Sequence, residues 1–392
     1  MNRYQAYQDG QGPIQLSSST PLNGIIRVGV ADLMEDIKFT GGIRIATNLK
    51  DHDWLFQFQN LRKRLDWGAT FYRNVISYSN GKLINNLYQG NIVYPFDAVR
   101  SLRLNLGVRR DRLVFYAFDP STLDIPEDKT LYGLAHLEYV YDNTLNPAQN
   151  IWEGTRYKIY TDVNRKLNGA STPGTNTGFI FNVGFDARTY YPIYRNFIWA
   201  GRVAADFSWG KQKFIYYLGG IDNWLMFGDN VKIDNNGQTK FRYFNPNNPP
   251  DPDNDYAFQS LAVNMRGFLQ NVANGNNAMV INSEFRLPVF TTLFSKPINN
   301  AFLRNFQLIQ FIDLGTAWNG KFDKLKRPNS TFGAPPVQIN IKTGGIGPFV
   351  GGYGFGARST LLGYFIKADA GWQMNGLFKG KPILYFSMGL DF

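Results

Sequence analysis

Residues 264–268, NMRGF, place a basic side chain between a methionine and a glycine inside a long polar stretch. Two acidic residues follow at a distance, Glu284 and Asp313, each within a run of alternating apolar residues. The guanidinium of Arg266 offers five donors in a fixed fork, which carboxylates accept in pairs. If the stretch folds back into a hollow interior, Glu284 and Asp313 can clamp Arg266. The alternative is an exposed turn with one basic residue.

The polar stretch belongs to a connection, residues 218–278, that is about ten times longer than an ordinary hairpin loop and is therefore expected to be functional. It opens with Gly219 and Gly220 and carries the clamp residues near its far end. Gly267 permits the tight turn that presents the arginine. Phe268 is expected to pack against the inner wall of the hollow.

Composition excludes several classes of function. The chain has 392 residues and no cysteine, which rules out disulfides and thiolate metal sites. Only two histidines occur, His52 and His136, and no serine, histidine and aspartate stand at a recognisable spacing, so we expect neither an enzyme nor a cofactor. The net charge of +11 suits anionic lipid, whereas no nucleic-acid-binding module accompanies it.

Apolar residues recur with a period of two. In the C-terminal stretch KPILYFSMGLDF, Leu384, Phe386 and Met388 share one face of a predicted strand. About sixteen such segments occur, separated by clusters of Gly, Asn, Asp and Pro. No apolar run approaches the ~18 residues of a transmembrane helix.

The two faces of these segments differ in chemistry. Along residues 364–373, Ile366 and Ala368 fall on one face, and Lys367 and Asp369 on the other. Apolar groups outside and charges inside are typical of a transmembrane β-barrel. We therefore predict an all-β fold, a closed antiparallel transmembrane β-barrel of sixteen strands with a long, inward-folded extracellular loop. The alternatives are a pair of soluble β-sandwiches and a propeller, although a propeller requires a repeat that is absent here.

Several motifs, taken in order, resemble one family. They are YDNTLNPAQNIWEGTRYKIY, YYLGG, MRGF, NSEFRLPVF, FIDLGTAW and LYFSMGLDF. This set resembles the barrel domain of the Omp85 superfamily, outer-membrane assembly and translocation proteins of the BamA and TamA type. Met265 stands where the family motif has valine. The resemblance spans most of residues 130–392, whereas the N-terminal third fits by pattern alone.

The resemblance implies a function and a location. It implies a protein of the bacterial outer membrane, in a Gram-negative and Bacteroidetes-type cell, that inserts or translocates client outer-membrane or secreted proteins. The partners implied are outer-membrane lipids, the clients and accessory lipoproteins. Residues 24–392 would form the barrel, and residues 1–23 an extension or linker from a missing N-terminal periplasmic module, because no POTRA-like unit is found.

In this family the first and last strands form a seam, and a client strand can add to its edge. Pro382 lacks an N–H group and would weaken pairing there. Gly389 would let the last strand bend inward, Gly29 lies in the first strand, and the last strand ends on the aromatic Phe392. Two further functions stay open. The barrel could be a non-catalytic anchor for the missing N-terminal domain, or a passive porin.

Overall fold

The computed structural model describes residues 5–6, 14–16, 23–46, 51–78, 80–120, 126–168, 178–233, 237, 239–262, 264–294, 297–332 and 338–390. Within these ranges no helix has the length and apolar character needed to span a membrane.

The described chain consists mainly of β-strands. In chain order they are β1 (Gln5–Ala6), β2 (Ile14–Leu16), β3 (Asn23–Ala31), β4 (Ile37–Ala46), β5 (His52–Asn60), β6 (Asp66–Tyr78), β7 (Gly81–Pro95), β8 (Arg100–Phe115), β9 (Asp128–Asp142), β10 (Leu145–Ala148), β11 (Ile151–Lys166), β12 (Phe179–Tyr194), β13 (Phe197–Gly210), β14 (Lys213–Leu218), β15 (Leu225–Phe227), β16 (Val231–Ile233), β17 (Thr239–Phe241), β18 (Tyr256–Ala262), β19 (Ala273–Gly275), β20 (Asn277–Pro288), β21 (Gln307–Trp318), β22 (Asn329–Phe332), β23 (Ile339–Lys342), β24 (Gly345–Ile346), β25 (Phe349–Leu361), β26 (Tyr364–Gln373) and β27 (Ile383–Met388). The helical turns are α1 (Val289–Leu293), α2 (Ala301–Arg304) and a 3-10 turn (Phe322–Lys324).

One large sheet of seventeen strands forms the wall of the molecule. It runs from β3 to β9, continues through β11, β12, β13, β20, β21, β25 and β26 to β27, and includes the short strands β10 and β24. Its long strands pair antiparallel, and β9 is joined to β11 over eleven consecutive positions. The strand order places β27 beside β3. The predicted all-β antiparallel fold is confirmed, whereas the number sixteen stays a prediction.

Alternating side chains give the wall two faces. In β26, Phe365, Lys367 and Asp369 are buried on the inner face, whereas Tyr364 on the other face is 65% exposed. The outward positions of many strands are large and apolar. Examples are Val28, Phe39, Phe56, Tyr88, Leu106, Phe285, Phe355 and Phe386. This inside-out pattern is the one expected where lipid rather than water faces the sheet.

A smaller four-stranded sheet packs on the inner face of the wall. In it, β14 pairs parallel with β18 and antiparallel with β19, and β1 adds to the far edge of β18. The connection 218–278 therefore carries most of this inner sheet. The main apolar cluster lies between the two layers: Phe214, Tyr216, Leu218, Phe258, Met265 and Phe268 from the inner layer pack against Tyr132, Ile180, Ala278, Val280, Ala317 and Val350 of the wall.

Candidate functional site: an ion cluster between the loop and the wall

The loop begins at two glycines whose backbone excludes other residues. Gly219 and Gly220 have φ angles of +120° and +79°, a region that side chains disfavour. The carbonyl of Gly220 accepts a hydrogen bond from the N–H of Met265 at 2.8 Å. The start of the loop is thereby held next to its MRGF segment, although 44 residues separate the two.

Arg266 is the central residue of the site and is 1% exposed. Its Nε and Nη2 donate to both carboxylate oxygens of Asp313, at 2.7 and 2.9 Å, and its Nη1 donates to Glu284 at 2.7 Å. The backbone N–H of Arg266 also donates to Asp313, at 3.0 Å. Its guanidinium carbon lies 3.7 Å above the ring centre of Phe311, a favourable cation–π position. Asp313 thus fixes both the side chain and the backbone of the loop.

Glu284 joins the loop to two further wall arginines. Its carboxylate accepts from Arg286 Nε at 2.8 Å and from Arg358 Nη2 at 2.8 Å, in addition to Arg266. A third carboxylate, that of Asp369, lies 3.6 Å from the Arg266 guanidinium. Buried charges are costly unless they are paired, and this cluster pairs three guanidinium groups with three carboxylates. Removing one partner would leave an uncompensated buried charge.

The burial of Arg266 affects its protonation in opposing ways. Desolvation alone would lower the pKa of its guanidinium, but the carboxylates of Asp313 and Glu284 raise that pKa well above its ordinary value. Arg266 therefore carries a permanent positive charge. The cluster holds the loop electrostatically at any physiological pH.

Gly267 and Phe268 continue the contact. Gly267 has a φ angle of +95°, and its N–H donates to the hydroxyl of Tyr385 in the last strand at 2.9 Å. The same hydroxyl donates to the carbonyl of Phe268 at 2.8 Å. One tyrosine thus satisfies two backbone groups of the loop. The Phe268 ring is buried in the apolar cluster between the layers.

Glycines in the wall make room for the loop backbone. A Cβ atom placed on Gly352 would overlap the carbonyl of Arg266, and one placed on Gly371 would lie 2.5 Å from the backbone nitrogen of Gly267. Real Cβ atoms do not approach so closely, so each position requires glycine while the loop is in place. Gly352 in β25 pairs with Gln373 in β26, and Gly371 lies two positions before Gln373 on the same strand. We call this pair of glycines the wall groove.

The described residues of the predicted seam lie in or next to β3 and β27, which are neighbours in the wall. Gly29 pairs with Thr40 in β4, and a Cβ atom there would meet nothing within 4 Å. Pro382 directly precedes β27, and Gly389 directly follows it with a φ angle of +129°. Phe392 lies outside the described residues. Of the three that the structure describes, none lies in the ion cluster.

The sequence interpretation missed several residues of the site. These are Arg286, Arg358, Asp369, Tyr385 and the wall groove. Arg286 lies two positions after Glu284 and therefore on the same face of its strand, and Asp369 was predicted to face inward. The alternating pattern thus contained the information needed to find both residues. The contact between the glycine-rich run GGYGFG, residues 351–356, and the loop has no local sequence signal.

The remaining candidates have ordinary surroundings. His136 Nδ1 lies 2.7 Å from Asp162 in the wall. Asp251 accepts from the backbone N–H of Asp253 and from the amide of Asn254, as in a turn. In the part of the chain that the structure describes, no group of three His, Cys, Asp or Glu residues could hold a metal ion.

Together, the wall and the loop define a class: a large antiparallel β-sheet that exposes apolar side chains on one face and packs its own long loop against the other. No protein-family model matches the sequence, and a search of curated proteins finds no match. Among solved structures, BamA from Haemophilus ducreyi lacking POTRA domains 1–3 is similar over 93% of this chain and 69% of its own, with a TM-score of 0.54 and 11% identity. The chain thus shares the fold of this BamA structure, and the predicted resemblance is confirmed at the level of the fold.

Two further structures are similar over much of the chain. CdiB from Acinetobacter baumannii has a TM-score of 0.45 and 12% identity, covering 95% of this chain and 57% of its own. CdiB from Escherichia coli has a TM-score of 0.47 and 12% identity, covering 96% of this chain and 60% of its own.

Proposed function

We propose that this chain is an outer-membrane barrel of the Omp85 type that assists the insertion or translocation of other proteins. In this proposal the large sheet closes into a transmembrane barrel, and the loop 218–278 occupies its lumen. Outer-membrane lipids contact the exposed apolar face, and clients are engaged at the seam between β3 and β27. The barrel performs no catalysis and needs no cofactor.

The observation that carries the proposal is the unequal burial of the two seam strands. Residues 26–31 of β3 are exposed on both faces, including Val28 at 60%. In β27, by contrast, Tyr385 and Ser387 are fully buried against the loop. A strand whose side chains are exposed on both faces is held in the sheet mainly by its backbone hydrogen bonds, so an added strand can displace it more readily. The loop also holds the last strand, so β3 is the more weakly held side of the seam.

The loop supports this function over a passive pore. Met265, Arg266 and Phe268 are each at most 1% exposed, and the ion pairs of Arg266 join this segment to three wall strands. A loop held in this way obstructs a lumen that a porin would keep open. Client entry at the seam requires no open lumen.

The test is a reversible lock of the seam in living cells. The chain has no cysteine, so an introduced pair is the only one present. Val28→Cys in β3 is combined in turn with Leu384→Cys or Phe386→Cys, the outward positions of β27, to find the pair that crosslinks. We expect oxidation of that pair to stop assembly of client outer-membrane proteins, measured by pulse labelling, and a reductant to restore it.

The matched control locks a junction that has no need to open. Ile26 and Ile43 are paired neighbours in β3 and β4, so Ile26→Cys with Ile43→Cys fixes an internal strand pair. This variant should assemble clients at the rate of the unmodified protein. Unchanged client assembly with a fully crosslinked seam would rule out insertion and leave the anchor as the function.

A further inference from the structure

The edge of the last strand that faces β3 is partly occupied by the chain itself. Each residue of a strand has two hydrogen-bonding edges, one towards each neighbour. For Ser387 in β27, Lys367 in β26 takes one edge. Trp224, from the loop, forms an isolated antiparallel bridge with the same serine. Trp224 therefore takes the other edge, the one that faces β3.

Side-chain packing fixes Trp224 at this edge. Its ring lies 4.8 Å from the ring of Tyr385 and 5.3 Å from that of Tyr243, and the residue is 2% exposed. The side chain of Asn223 lies close to Gly389, since a Cβ atom added there would be 3.2 Å from its nitrogen. Loop residues thus cover the C-terminal half of β27 from the side of the seam.

Strand pairing continues beyond Trp224. The next three residues form β15, which pairs in parallel with β2 at Leu225 and Ile14 and at the two following positions. The strand-like layer that begins at Ser387 therefore extends through the loop to the N-terminal segment. An extended segment with pairing on one side and aromatic packing on the other resembles an added strand.

We propose that residues 223–227, which we call the guard segment, act as an internal strand that covers the seam edge of β27 and keeps β3 away from Ser387. An incoming strand is thereby excluded from this end of β27 while the guard segment is in place. This proposal rests on the proposed function in one respect only: it takes β3 and β27 as the two sides of the seam.

Hydrogen exchange measured by mass spectrometry on the purified protein in lipid nanodiscs tests the guard segment directly. Trp224→Ala should speed amide exchange in residues 383–388 by about tenfold, because local opening controls exchange at a strand edge. Trp224→Phe keeps an aromatic ring on Tyr385 and should preserve the slow exchange. The matched control is Phe244→Ala, an aromatic of the same loop that packs on Tyr217 instead of on the last strand. Equal exchange in β27 for Trp224→Ala and Phe244→Ala would overturn the proposal.

A crosslink gives a second measurement that holds if Trp224→Ala fails to fold. Bridge partners in antiparallel strands have Cα atoms about 4.5–5.5 Å apart, within disulfide range. Trp224→Cys with Ser387→Cys should therefore oxidise to a disulfide under mild conditions. Trp224→Cys with Leu384→Cys, whose second site is 59% exposed on the outer face, should keep free thiols. Free thiols in both pairs would also overturn the proposal.

These measurements do not depend on any client. If the seam lock leaves client assembly unchanged while the Trp224–Ser387 crosslink forms, the insertion function fails and the guard segment stands. If the crosslink fails while the seam lock stops assembly, only the guard segment is wrong.

Discussion

Two charged networks on the inner face of the wall differ in their contact with solvent. In the N-terminal half, Arg44 donates to Asp53 at 2.5 Å, and the arginine side chain is 35% exposed. In the C-terminal half, Arg266 and Glu284 have side chains that are 2% and 0% exposed. Strand alternation places both networks inward. Only the second is covered by the loop, so the loop rather than the strand pattern sets the strength of its ion pairs.

Covering the second network with the loop changes the energetic cost of breaking its ion pairs. An ion pair that remains partly solvated contributes little, in the range of ~0–1 kcal/mol. Breaking a fully buried pair leaves a charge without a partner and costs about 3–5 kcal/mol. The two halves of one wall therefore respond very differently to the same type of substitution.

The largest difference is expected for the arginines. Arg266→Ala leaves Asp313 with only Asn282 as a side-chain donor and should destabilise the folded protein by about 3–5 kcal/mol. The control Arg44→Ala should cost less than ~1 kcal/mol. Urea unfolding in detergent measures both. Subtilisin cleavage between residues 218 and 278 should accelerate for Arg266→Ala alone, and equal cleavage in the two variants would contradict the role of Arg266 in holding the loop.

A smaller difference is expected for two glycines. Gly352→Ala places a methyl group against the Arg266 carbonyl and should displace the MRGF segment, at a cost of about 1–3 kcal/mol. Gly90→Ala is the matched control, because a Cβ atom there meets only the Leu106 carbonyl at 3.9 Å. The same cleavage assay reports on the loop. Slow cleavage in Gly352→Ala would show that the groove tolerates a side chain.

The smallest effect is expected for a single hydroxyl group. Tyr385→Phe removes the hydroxyl that serves the Gly267 N–H and the Phe268 carbonyl, and should cost about 1 kcal/mol, the net contribution of a typical hydrogen bond. Tyr88→Phe, at an outward position 57% exposed, should have no effect on unfolding. An equal loss of unfolding free energy in the two variants would contradict the role of the Tyr385 hydroxyl in holding the loop.

Some features of the candidate site could be predicted from the sequence because they depend on residue type and local period. The period of two gave the strands and put Lys367 and Asp369 inward. The length of the connection 218–278 and its glycine pair marked a loop with a role. A guanidinium that leaves water needs carboxylates, which made Glu284 and Asp313 the acids to consider.

The remaining features involve residues far apart in the chain. Whether residue 352 touches residue 266, or residue 385 touches residue 267, depends on how the loop lies on the wall, and no local pattern encodes that position. The bridge between Trp224 and Ser387 joins residues 163 positions apart. The sequence thus determined which side chains face inward and which charges need partners, because the first follows from backbone geometry and the second from solvation. The pairing of loop with wall was decided only by tertiary packing, because long-range contacts select one arrangement among many that share the same local pattern.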